Sequence, residues 1–234
     1  MIEIVPMERL ELAFVPRPWP FAERNRERID RYFEAVQKAK PAAWNGRVLL
    51  LHDYAVVGRV FRGAYLETDY ASFVAWRDWG FPDTTVRNCF ALGALRGTDG
   101  GFVLGVMSAH TLNAGKVYFP AGTPDPHDLT GDMVDLAASI RREVAEETGL
   151  NPQAYEAEAG WTSVLTSTHI AQFKLLQAHE PAAALRERIL TNLAAHAAPE
   201  LADIRIVHGP RDLDPMMPSF VRAFLANFWS RTPR

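Results

Sequence analysis

The chain has 234 residues, 25 Lys+Arg and 28 Asp+Glu, a formal net charge of −3, and is 48% hydrophobic and 23% charged. That mix belongs to a soluble globular protein long enough to bury a full core, and it excludes a broad basic field for a nucleic-acid polymer. No apolar run approaches the ~18 residues of a membrane-spanning helix, and Met1 to Pro6 show no basic-then-apolar leader, so no membrane partner and a cytoplasmic location are expected. The single cysteine, Cys89, fits a reducing compartment, and within Cys89-Phe90-Ala91-Leu92 it reads as a small core residue.

The first twenty residues hold a short apolar segment and then Pro16, Pro18 and Pro20, which predict no regular structure there. From Phe21 to Lys40, Ile29, Tyr32, Phe33 and Val36 recur at helical spacing, and Pro41 ends the run. Arg47 to Arg62 reads as two strands, Val48–Leu51 and Val56–Phe61, with Gly58 near the bend. A short helix over Tyr70 to Trp79 closes at Gly80 and Pro82. Phe90–Leu95 and Phe102–Met107 are strands around an Asp99-Gly100 hairpin turn. Lys116–Phe119 is a short strand that runs into Pro120-Ala121-Gly122. A helix from Leu136 to Thr148 has Asp135 as its N-cap and stops at Gly149. Trp161–Thr166 and Ile170–Gln177 are strands, Pro181–His196 a helix, Ile204–Val207 a strand and Ser219–Trp229 an amphipathic helix. The order predicts an α/β or α+β class, with residues 1–87 an N-terminal extension packed on a core unit, 88–234.

The helix over 136–148 breaks the usual rules. Glu143, Glu146 and Glu147 crowd its last two turns, where the negative end of the helix dipole disfavours acids. Glu143 and Glu147 are also like charges four apart on one face. At about 100° per residue the three share an arc of about 100°, beside the apolar Ile140 and Val144. Arg141 and Arg142 could balance them as solvated surface charges. Clustered carboxylates without Cys or His also suit a hard ion, Mg²⁺ or Mn²⁺.

Arg142-Glu143-Val144-Ala145-Glu146-Glu147-Thr148-Gly149-Leu150 resembles the second half of the Nudix box, G-x5-E-x7-R-E-U-x-E-E-x-G-U, at all seven specified positions. The first half departs from it. Gly122 stands as the box glycine, Asp128 stands where the family has Glu, and thirteen residues rather than seven separate Asp128 from Arg142. The box thus carries a six-residue insertion around Leu129 to Val134. The resemblance covers about Asn88 to Trp229 and implies an α/β/α sandwich around a mixed sheet. The N-terminal third, with Thr68-Asp69-Tyr70 and a Trp76-bearing helix, resembles the subgroup containing UDP-sugar hydrolases.

The resemblance implies an enzyme that hydrolyses the diphosphate linkage of a small nucleoside-diphosphate-X substrate, such as a nucleotide sugar. It implies Glu143, Glu146, Glu147 and the Gly122 carbonyl as ligands of Mg²⁺ or Mn²⁺, Arg142 as a partner that orients box carboxylates, and Glu146 or Glu147 as the base. Bound divalent ions would neutralise phosphate charge and acidify a water, which is the chemistry such a hydrolysis needs. Asp128 either does the work of the family glutamate with a shorter reach or caps the inserted loop. Many members are homodimers, and no substrate-binding residue follows from the resemblance. Glu180 and Glu200 are outside candidates for the base, and His127, His169, Arg62, Arg87 and Lys174 for substrate contacts. Trp76, Trp79 and Trp161 are candidates for base stacking. Each of these also has an ordinary surface or core role. The alternative function is a catalytically inactive Nudix-fold module that binds or senses nucleotides. An isomerase of isopentenyl diphosphate on the same fold would call for a reactive cysteine, and Cys89 sits in an apolar strand.

The charge is not evenly spread. From Ala121 to Leu150 there are seven acids and two bases, a net of −5 that leaves +2 for the rest of the chain.

Overall fold

A computed structural model describes residues 2–231; residue 1 and residues 232–234, the outer ends of the two expected units and the start of the leader comparison, lie outside the described residues. Strands β1 (Glu3–Met7) and β2 (Arg9–Phe14) come first, although proline spacing had predicted no element so early. Pro20 does not end structure but starts it. It occupies the first turn of helix α1 (Pro20–Arg24), where a missing amide costs no hydrogen bond. The helix expected over 21–40 is therefore two, α1 and α2 (Arg26–Ala39), broken at Asn25, whose side-chain amide donates to the Phe21 carbonyl. Strands β3 (Arg47–Val57) and β4 (Val60–Asp69) form one long hairpin whose turn uses Gly58 at φ 61°, and α3 (Tyr70–Asp78) follows directly. Asp69 caps α3 by accepting from the Ser72 amide at 2.9 Å.

The next elements are β5 (Asn88–Arg96), β6 (Phe102–Met107), β7 (Val117–Tyr118), β8 (Ala121–Gly122), β9 (Leu129–Thr130), β10 (Met133–Val134) and α4 (Leu136–Thr148); β5, β6, β7 and α4 keep the predicted order, whereas β8, β9 and β10 had not been expected. After them come β11 (Tyr155–Ala157), β12 (Trp161–Leu165), β13 (His169–Ala178), α5 (Ala182–Ala194), β14 (Leu201–Val207) and α6 (Ser219–Arg231). The fold is thus a mixed α/β arrangement, as expected.

Two sheets organise the chain. The larger has the order β1-β12-β13-β5-β6-β14, with β11, β7 and β8 added along it. Its central pair, β13 and β5, is parallel, and the other pairs are antiparallel. The smaller has the order β3-β4-β2-β10-β9. Alternation along β5 sorts side chains to two faces. Phe90, Leu92 and Ala94 meet Val221, Phe224 and Leu225 of α6, and Phe173 of β13 stacks on Phe224 at 4.1 Å. Cys89, Ala91 and Leu95 face the other way, toward Ile140 and Val144 of α4, Leu185 and Ile189 of α5, and Leu12, Leu49 and Phe61 of the smaller sheet. Cys89 is buried, as its apolar surroundings predicted, and burial pushes its thiol up to about 12. The far face of the smaller sheet, Val48, Leu50 and Leu66, packs under α1–α3 around the fully buried Trp76.

The sheets also exchange chain segments. Strand β1 belongs to the larger sheet through β12, whereas β2, one residue later, belongs to the smaller. The six inserted residues return the connection, because they are the β9–β10 hairpin at the edge of the smaller sheet.

Candidate active site

Helix α4 forms for local reasons. The Asp135 carboxylate accepts from the Ala138 amide at 2.9 Å, and Gly149 ends the helix at φ 72°, with its amide on the Ala145 carbonyl. Leu136, Ile140 and Val144 anchor its inner stripe in the core. That stripe brings Glu147 inside with it, 5% exposed, where one carboxylate oxygen accepts from the Ala121 amide at 3.2 Å. One turn earlier, Glu143 lies against the backbone of β8. An ideal Cβ on Gly122 would fall 2.6 Å from the Glu143 carboxyl carbon and nearer still to Oε1, so a larger residue there requires the Glu143 carboxylate to move. Glu146 points outward, its side chain 62% exposed.

Arg142 sits at the centre of the acids. Nη1 donates to Glu143 at 2.8 Å and lies 3.6 Å from Glu146, while Nη2 donates to both oxygens of Asp128 at 3.0 and 3.1 Å. Asp128 therefore does two things at once. It bonds Arg142, and it closes a single 3-10 turn, Pro126–Asp128, by accepting from the Asp125 amide. The turn its side chain caps is the one before the inserted residues, not the insertion itself.

The electrostatics follow from this crowding. Burial pushes Glu143 up to about 7, with Glu146, Glu200 and Asp128 adding repulsion and Arg142 opposing it. Burial and the neighbouring Glu143 hold Glu147 well above the usual carboxylate range, against the Ala121 amide. Glu143 and Asp128 keep Arg142 protonated despite its burial. Tyr118 of β7, missed in the sequence, lies in the field of Glu147 and Glu200, and its phenol is raised by burial and by those charges. Its hydroxyl accepts from the Asn113 amide group at 3.1 Å. The available signal was its place, four residues before Gly122 in the strand that leads into the acidic segment.

Among the described residues, no three His, Cys, Asp or Glu side chains converge as a ready metal cage. The donor chemistry nonetheless fits a hard divalent ion. Every acid offers oxygen, and two of them are desolvated with raised proton affinity, the excess negative charge that a cation relieves. Glu143, Glu147 and the adjoining Gly122 backbone could hold it.

Of the outlying candidates, the structure brings Glu200 to the site: its carbonyl accepts from the Ser108 amide, and its charge acts on Glu143, Glu147 and Tyr118. Glu180 is tied to Arg188 instead. His127 is exposed beside Asp125, and His169 is enclosed by Phe81, Phe90 and Phe220. Arg62 pairs with Glu11, Lys174 donates to the Gly160 carbonyl across the Trp161 ring, and Arg87 lies over Tyr54. Trp76 is core, and Trp79 is covered by Arg28 at 3.9 Å.

No protein-family model matches the chain, and no curated protein matches it. Solved structures do. The chain is similar to RenU, a Nudix hydrolase from M. smegmatis, at 16% identity over 62% of this chain and 86% of that one, with a TM-score of 0.39. It is similar to the MutT protein from Methanosarcina mazei Go1 at 18% identity over 63% and 96%, with a TM-score of 0.40. A protein assigned to the nudix hydrolase family from Chromobacterium violaceum gives 18% identity over 62% and 78%, also at 0.40. No helix among the described residues is long and apolar enough to cross a membrane.

Proposed function

We propose that the protein is a Nudix-type hydrolase that cleaves the diphosphate linkage of a nucleoside-diphosphate-X substrate, a nucleotide sugar for example, with Mg²⁺ or Mn²⁺. The observation that carries this reading is the buried pair Glu143 and Glu147 set against β8 around Arg142, on residues that also spell the acidic half of the box. When bound, the ion supplies charge neutralisation on the phosphates and an acidified water. The chain's residues do the rest. Glu143, Glu147 and the Gly122 carbonyl would hold the ion, and Arg142 fixes the Glu143 carboxylate by a charged hydrogen bond. Glu146, the exposed member, accepts the proton of the attacking water. We assign the enclosed Glu147 to the ligands rather than to the base. We place this activity in the cytoplasm, in a homodimer, acting on a small molecule rather than on a nucleic-acid polymer. A purely binding module would not need two desolvated acids, so their retention favours the enzyme.

The test is a panel of nucleoside diphosphates and nucleotide sugars with Mg²⁺ and Mn²⁺, with products identified. Release of a nucleoside monophosphate by the wild type, lost by orders of magnitude in Glu147→Gln, supports the reading. Tight ligand binding with no turnover under either metal would replace it with the binding module.

A further inference from the structure

The acid at 128 and the inserted hairpin are two departures from the box, and they meet at one place. Asp128 is 3% exposed and ends the loop that begins at Gly122. Its side chain is one methylene shorter than Glu, a reach shorter by roughly 1.5 Å, yet both oxygens bond Arg142. The backbone must therefore stand nearer to the helix than a longer acid would require.

The smaller sheet holds the backbone there from both sides. Upstream of Asp128, the Leu49 amide of β3 donates to the Pro124 carbonyl at 2.7 Å. Downstream, the Phe14 amide of β2 donates to the Asp132 carbonyl at 2.8 Å, and Met133 pairs with Ala13. The hairpin closes on itself, with the Asp135 amide on the Asp128 carbonyl at 2.8 Å and Gly131 at φ 61° in its turn.

Resting on the reading of Arg142 and Glu143 as box residues, we propose that the hairpin 129–134 and Asp128 are a matched pair. The N-terminal sheet grips the hairpin so that the short acid, as a positioning residue, sets Arg142 and through it Glu143. The path is continuous, from the β2 and β3 amides to the loop, to Asp128, to the guanidinium and to the carboxylate 2.8 Å beyond it. Residues 1–87 then contribute to the site through the backbone of this loop.

The closed base of the hairpin makes the test practicable, since excising 129–134 leaves ends that rejoin with a shift of about 2 Å. Three variants are compared with the wild type: Asp128→Glu, the excision, and both together. Mn²⁺ binding is read by calorimetry and unfolding by urea without metal. Each single change is expected to weaken Mn²⁺ binding at least tenfold, the longer acid by overfilling its buried place and the excision by leaving Asp128 short. The double variant should return to within about threefold of the wild type, because the longer acid and the shorter loop fit each other. A double variant whose loss equals the product of the single losses overturns the proposal, because a hairpin with only a general structural role gives no rescue. If the excised chain does not fold, Phe14→Pro, which removes the amide donor to Asp132 and the ring and also fixes φ beside Ala13, takes its place. It should weaken Mn²⁺ binding at least threefold, and unchanged binding overturns the proposal. Should the wild type bind no Mn²⁺ and hydrolyse nothing, the hydrolase reading fails by itself. The unfolding cycle still decides the pairing, with non-additivity of at least tenfold in the unfolding constant expected and additivity refuting it.

Discussion

Gly122→Ala is the smallest change that reaches the centre of the site. The new methyl would stand 2.6 Å from the Glu143 carboxyl carbon and nearer still to Oε1, so the carboxylate must move by more than about 1 Å. Gly122 has no left-handed φ, so the whole effect is contact and not backbone strain. Glu143 is the group that yields, because β8 is fixed to β5 through Gly122 and Ala91. A shift of about 1 Å is large enough to break the 2.8 Å bond that Glu143 accepts from Arg142. Losing a hydrogen bond to a charged group costs about 1.5–3 kcal/mol, and packing strain adds to that. The metal-free variant should therefore lose about 2–4 kcal/mol in urea unfolding, and metal-dependent hydrolysis should fall at least a hundredfold. Adding Glu143→Asp, which withdraws the carboxylate from the methyl, should return more than half of the stability and none of the activity. A Gly122→Ala protein as stable and as active as the wild type would refute the packing argument.

Glu147→Gln should abolish metal-dependent hydrolysis and yet raise the melting temperature of the metal-free protein at pH 8, because it removes a buried charge repelled by Glu143. Glu143, raised from 4.5 to about 7, adds stability below pH 4.5 that is lost as the pH rises through 7, on the order of 3 kcal/mol in metal-free urea titrations. Its absence in Glu143→Gln is the check, and a slope unchanged by the substitution argues against the buried charge. His169 has the opposite sign. Burial, and then Arg77, lower it from 6.5 to about 4, so its contribution is complete above pH 6.5 and is lost as the pH falls toward 4. His169→Phe should flatten that acid limb. Glu146→Gln should lower kcat more than Glu200→Gln does, and the reverse order would move the base to Glu200.

Legibility in the sequence followed the range of the interactions. Helix α4 was readable to the residue, Leu136 to Thr148, because its N-cap, apolar stripe and terminal Gly149 are all local. The turn at Gly58 was readable for the same reason, although Val56 and Val57 belong to the strand before it and not after it. Strands β1 and β2 were not readable. Their partners lie far along the chain, at Trp161–Leu165 and Val60–Tyr65, and Pro6 interrupts the pattern of the first. The two-residue strands of the insertion exist only through their hydrogen bonds to each other and to β2, so no periodicity could announce them.

The acidic segment shows the same division. Its excess of five negative charges was countable, and the helical period placed Glu143 and Glu147 together. What the period could not supply was depth. Glu146 and Glu147 are adjacent, yet one is open and the other enclosed, because β8 covers only the inner side of the helix. That difference is the basis for the proposed division between ligand and base. It depends on Gly122 and Ala121, more than twenty residues upstream, and on Glu200, more than fifty downstream. The sequence places the acids on one helix face, and the sheets around that helix determine which carboxylates are buried.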